Sequence, residues 1–172
     1  MSTFVDAFHV AETLRKDSPL HFKALATTLV PFQYINNGHH LHHAHPTIEL
    51  DPSQADSTPL EKRIIKHVNY SPPFQAPFPL SEGLNHFYAS LRSFTDLLDV
   101  DENRYKYTLR EGDAVLFDNR RVLHARTAFT DIPGVQIKEG DPNRWLKGCY
   151  LDDDALLDRY RAMKAKLDNR NV

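Results

Sequence analysis

Between Tyr105 and Phe129 the sequence leaves little choice of architecture. Tyr105 to Arg110, Ala114 to Phe117 and Val122 to Phe129 are short apolar or aromatic runs, interrupted by Glu111-Gly112-Asp113 and Asp118-Asn119. Glycine, aspartate and asparagine favour turns because they tolerate positive φ or bond nearby backbone. Short strands with such tight connections are typical of a barrel or a jelly roll.

The rest of the chain flanks this run. Val5 to Lys16 places Val5, Phe8, Ala11 and Leu14 beside Asp6, Glu12 and Arg15, which predicts an amphipathic helix. Ser18-Pro19 reads as a cap followed by proline at the first position of a short helix through Ala26. Leu29 to Ile35, Thr47 to Leu50 and Arg63 to Tyr70 read as strands, with a turn at Asn36-Asn37-Gly38 and a polar loop from Gln54 to Glu61. Ser71 to Pro79 holds four prolines, which exclude a regular helix or central strand. Ser81 caps the clearest helix, which runs to Leu98 with Leu84, Phe87, Leu91, Phe94 and Leu98 on one face. Thr130 to Asn143 reads as a loop and Trp145 to Leu151 as a strand. Asp152-Asp153-Asp154 opens a last helix through Leu167. The expected fold class is mainly β with flanking helices.

Composition narrows the functional classes. At 172 residues the chain fits one domain with a real core. A net charge of −2 without a basic stretch gives no support to nucleic-acid or anionic-membrane binding. No apolar run approaches membrane-spanning length. The single cysteine, Cys149, cannot form an internal disulfide and suits a reducing compartment. A cytoplasmic location is the expectation, or a mitochondrial one if an N-terminal segment is missing. Ten histidines is the unusual count, with five in His39-His40-Leu41-His42-His43 and His45. That tract reads as a solvated loop able to take up zinc or nickel adventitiously.

Chemistry concentrates at Gly112-Asp113-Ala114-Val115-Leu116-Phe117-Asp118-Asn119-Arg120-Arg121-Val122-Leu123-His124-Ala125-Arg126-Thr127-Ala128-Phe129. His124 offers a neutral imidazole suited to a first-row metal. A nearby arginine can hold a carboxylate through a bidentate fork.

This segment resembles the C-terminal signature of TauD/TfdA-like dioxygenases, especially the γ-butyrobetaine and trimethyllysine hydroxylase branch. Phe4-Val5-Asp6-Ala7-Phe8-His9-Val10-Ala11, Ile48-Glu49-Leu50-Asp51 and Arg144-Trp145-Leu146-Lys147-Gly148-Cys149-Tyr150-Leu151-Asp152 resemble further motifs of that family, so the likeness runs over nearly the whole chain. The resemblance implies a partial double-stranded β-helix, or jelly roll, and an oxidoreductase dependent on Fe(II) and the cosubstrate 2-oxoglutarate. It implies that His124 is an iron ligand and that Arg144 binds 2-oxoglutarate. It also implies that Tyr150 helps form an aromatic cage around a trimethylammonium group, a cation–π interaction. The substrate class would be small molecules of the kind met in carnitine biosynthesis.

Four departures qualify this. The family's iron sits in a two-histidine, one-carboxylate triad. Its first histidine and its carboxylate lie in an H-x-D or H-x-E motif upstream of the FVD helix, and no such motif occurs in these residues. The family's glycine after the histidine is Ala125. The interval from His124 to Arg144 is longer than the family's, which an insertion in Thr130 to Asn143 explains; if that loop shifts the register instead, Arg126 is the alternative carboxylate binder. Ser71-Pro72-Pro73-Phe74 replaces asparagines that contact substrate in γ-butyrobetaine hydroxylases.

The expectation is therefore a single domain over 1–172, N-terminally incomplete and inactive alone. A complementing chain carrying H-x-D would restore the enzyme. The alternative is a non-catalytic remnant or a binding module. Oligomeric state is not legible.

Overall fold

The computed structural model describes residues 1–55, 57–78, 83–127 and 147–169. In order, the elements are β1 (Ser2–Asp6), α1 (Ala7–Asp17), α2 (Pro19–Thr27), β2 (Leu29–Asn36), β3 (His39–Pro46), β4 (Ile48–Leu50) and β5 (Ile65–Val68). These are followed by α3 (Leu84–Leu98), β6 (Arg104–Tyr107), β7 (Val122–Arg126) and α4 (Asp153–Asp168). The contacts group into two units, 1–129 and 130–172.

In the first unit the strands form three small antiparallel sheets: β6-β1-β7, β2-β3 and β4-β5. Among the described residues no sheet closes into a barrel, and helices and strands are mixed rather than mainly β. One reason is Ala114 to Phe117, expected as a strand. It has no regular structure, and Leu116 is 77% exposed. An extended run becomes a strand only where a neighbour pairs its N–H and C=O groups.

The core lies between α1, α2, α3 and the β4-β5 sheet. Ala7, Val10, Ala11 and Leu14 of α1 are buried at a spacing of i, i+3, i+4 and i+7. Phe22 and Leu25 of α2, Phe87 and Phe94 of α3, and Ile48, Ile65 and Val68 complete it. Each large side chain contributes about 1.5–3 kcal/mol through burial. The expected face of α3 is observed, with Leu84, Leu91 and Leu98 half-buried around Phe87 and Phe94. Ser81 lies outside the described residues; Gly83, at φ 91°, stands at the N-cap.

The first helix begins later than its pattern predicts. Residues Ser2–Asp6 form β1, and Asp6 caps α1 by accepting from Phe8 N at 3.1 Å and His9 N at 3.3 Å. Ser18 stands at the N-cap of α2 with Pro19 in its first turn, but its side chain makes no capping bond.

The histidine tract is a strand, not a loop. Asn37 (φ 48°) and Gly38 (φ 80°) both take positive φ, as a type I′ hairpin turn requires. That turn sets β3 against β2 in continuous register from Asn36↔His39 to Leu29↔Pro46. Polar side chains are compatible with this strand because most of it faces water.

In the second unit residues 147–152 have no regular structure, so the described part of the expected Trp145 to Leu151 strand does not form. Trp145 itself lies outside the described residues. Asp152 caps α4, accepting from Asp154 N at 3.1 Å.

Candidate functional site

His124 sits in the middle of β7, directly opposite Phe4 of β1. Successive side chains on a strand alternate faces. Leu123 points to the core, against which it packs. Val122, His124 and Arg126 therefore share the opposite face, and both His124 and Arg126 are exposed.

The turn before β7 fixes this placement. Asp118 accepts from Arg120 N at 2.8 Å through its side chain and from Val122 N at 2.8 Å through its carbonyl. Arg120 O accepts from Val68 N of β5 at 2.9 Å, and Arg121 O accepts from Ala7 N of α1 at 2.9 Å. The Asp-Asn-Arg-Arg turn is thus tied to two other elements.

One aromatic ring packs on His124, and others lie beyond it. The Phe117 ring lies 5.1 Å from the imidazole, and Phe4 meets Phe117 edge-on at 5.6 Å. Phe4 is also opposite Tyr105 of β6, and Tyr105 stacks on Tyr107 at 6.3 Å. These rings wall a groove of about 520 Å³ that continues along Ala114 to Phe117. Its acid is Asp113, which accepts from Tyr107 OH at 3.1 Å and Arg110 N at 2.9 Å. The hydrogen bond to Asp113 raises the Tyr107 pKa above its ordinary value. The sequence reading missed these rings because it placed Val5 on a helix. With β1 recognised, the alternation of Tyr105 and Tyr107 against Ser2 and Phe4 identifies the wall.

The structure brings together His124 and Arg126, two residues apart on one face and so about 7 Å apart along the strand. Arg144 lies outside the described residues. Tyr150 belongs to the second unit and is 89% exposed.

A second polar cluster involves Glu49 of the Ile-Glu-Leu-Asp motif. Asn69 Nδ2 donates to Glu49 Oε2 at 3.3 Å and to Pro46 O at 2.9 Å, and His67 Nδ1 lies 4.0 Å from Glu49. Burial lowers the His67 pKa below its ordinary 6.5, outweighing Glu49, which raises it. Burial, then the neighbouring His43, lowers the His45 pKa.

Among the described residues no group of three or more histidine, cysteine, aspartate or glutamate side chains can hold a metal ion. Those residues, with one imidazole at the β7 face, do not make up a two-histidine, one-carboxylate iron set. No helix among them is long and apolar enough to cross a membrane.

An exposed imidazole in contact with Phe117, which itself lines the aromatic groove, and a guanidinium two residues along the same strand face are what the structure presents at β7. Residues 1–150 match the model of the Taurine catabolism dioxygenase TauD, TfdA family, and the chain belongs to that family. Dioxygenase str8 of Strobilurus tenacellus is 50% identical over 163 residues, 95% of this chain and 36% of that protein. Gamma-butyrobetaine dioxygenase of Pseudomonas sp. is 35% identical over 161 residues, 92% of this chain and 37% of that protein. The Homo sapiens gamma-butyrobetaine dioxygenase is 30% identical over 178 residues, 99% of this chain and 41% of that protein. The chain thus spans between 36% and 41% of the length of these relatives.

Proposed function

We propose that this chain supplies part of the active site of an Fe(II)- and 2-oxoglutarate-dependent dioxygenase that hydroxylates a small trimethylammonium compound, and that these 172 residues are inactive alone. The observation that carries this reading is the placement of His124, packed on Phe117, on the same exposed face of β7 as Arg126 in a TauD/TfdA-family chain.

In this reading His124 gives iron one imidazole nitrogen. Arg144 holds the distal carboxylate of 2-oxoglutarate through its fork, with Arg126 as the alternative. Tyr150 faces the substrate cation. Bound iron(II) and 2-oxoglutarate supply the oxidising chemistry, and the protein supplies ligands and orientation. The β6-β1-β7 sheet is the described part of a double-stranded β-helix. The other two iron ligands come from polypeptide outside these residues, in the same protein or in a complementing chain. Relatives named as gamma-butyrobetaine dioxygenases support the substrate class, since that compound carries a quaternary ammonium group. The aromatic groove lined by Phe4, Tyr105, Tyr107 and Phe117, the last in contact with His124, suits such a cation as well.

A second reading, a non-catalytic binding module, is favoured by the donor set: the described residues leave His124 short of a triad.

The test is anaerobic titration with Fe(II) and 2-oxoglutarate, following the visible metal-to-ligand charge-transfer band. The expected result is no band from the chain alone and a band when a polypeptide carrying H-x-D is added, lost again in His124→Ala. A band from the chain alone would overturn the claim of inactivity. No band in either case would favour the binding module.

A further inference from the structure

The iron reading leaves the histidine-rich hairpin unused. On β3, His39, His43 and His45 lie on one face, and His40 and His42 on the other. The His43 and His45 rings approach to 5.1 Å between centroids, tilted by 49°. Two imidazoles on one tetrahedral zinc, each with a metal–nitrogen bond of about 2 Å, have centroids about 5 Å apart.

We propose that His43 and His45 form a two-histidine chelate for a divalent first-row cation of the zinc class, separate from the His124 face. Imidazole nitrogens suit that class of ion. The backbone prepares the pair. The type I′ turn and the β2-β3 ladder fix His43 opposite Phe32 and His45 opposite Val30. The Phe32 ring packs on His45 at 4.7 Å and restrains it further. His43 is exposed and His45 half-buried, so an ion can reach both. Among the described residues no third side chain completes a closed set, and water fills the remaining positions. Alternation gives His40 and His42 the same spacing on the other face, but the ring approach and the Phe32 contact belong to His43 and His45.

The test is calorimetric zinc titration of the full chain without a purification tag. One equivalent is expected to bind to the wild type, to His124→Ala and to the His40→Ala/His42→Ala double variant. Losing even an outer-shell partner commonly costs about 10–100-fold in metal affinity. His43→Ala and His45→Ala should therefore each weaken binding by about tenfold or more. His43 is exposed, so its removal leaves the fold intact, and the zinc-free unfolding midpoint of that variant verifies this. Excess zinc should raise the wild-type midpoint more than that of His43→Ala. Absence of zinc binding to the wild type overturns the proposal. So does wild-type affinity in His43→Ala, or equal loss in the double variant. Loss in His86→Ala with retention in His43→Ala also overturns it, by moving the ion to the His21–His86 pair, whose rings lie 5.7 Å apart.

Discussion

Arg121 forks onto Asp6: Nε donates to Oδ1 at 3.1 Å and Nη2 to Oδ2 at 2.5 Å. The same carboxylate caps α1, so one side chain joins the start of that helix to the turn that delivers β7. β7, which carries His124, is therefore held at the helix N-terminus as well as by its ladder with β1.

Removing both roles should cost more than removing one. Asp6→Ala is expected to lower stability by about 1 kcal/mol through the lost cap. Asp6→Asn keeps an acceptor for the cap and loses only the ionic fork, which is partly exposed and screened. Urea midpoints for the two variants check this; equal losses would show that the fork, not the cap, is what matters.

Asp6 also sets an acid limit. The Arg121 hydrogen bond holds its pKa below the ordinary 3.8. The contribution is full above 3.8 and is lost as pH falls through the lower folded-state value. Arg121→Gln should flatten this part of the stability-against-pH curve, measured by denaturant titration.

His67 acts at higher pH. Its folded pKa lies below 6.5, so above 6.5 the folded and unfolded chains are both neutral there and it contributes no pH dependence. As pH drops below 6.5 the unfolded chain takes up the proton first, and stability falls until the folded value is passed. His67→Gln should remove that decline from thermal midpoints; an unchanged slope would assign it to another group.

Phe94 is fully buried and meets Tyr70 edge-on at 6.0 Å. Phe94→Ala should cost about 3–5 kcal/mol by lost transfer energy and the cavity left behind. A loss below about 1 kcal/mol in chemical denaturation would mean that α3 collapses into the gap.

The two arginines can be separated by 2-oxoglutarate affinity in the reconstituted centre. Leaving a buried carboxylate without its fork costs about 2–5 kcal/mol. That loss is expected for Arg144→Ala and not for Arg126→Ala; the reverse pattern would transfer the role to Arg126.

The sequence made the helices, the Asn37-Gly38 turn and the segment around His124 legible, because helical periodicity, glycine at positive φ and a motif are local signals. What it hid depended on distant pairing. Val5 fits a helical face but is buried in β1, because Arg104 and Leu123 offer it partners on either side. His39 to His45 lacks the apolar alternation of a strand, yet β2 and the turn make it one. Ala114 to Phe117 has strand composition and lacks a ladder. Family membership was readable from the motifs, and the matched residues 1–150 show it.

Asp6 and Arg121 stand 115 residues apart in the chain, and β1 lies between two strands that follow it at long range. The sheet that presents His124 is therefore a high-contact-order assembly. Its loop-closure entropy must be met before its pairing is rewarded. During synthesis β1 cannot complete its pairing with β6 and β7 until residues up to Arg126 have left the ribosome, while α1, α2 and the β2-β3 hairpin can form locally. Folding should thus end, rather than begin, at the strand that carries the chemistry.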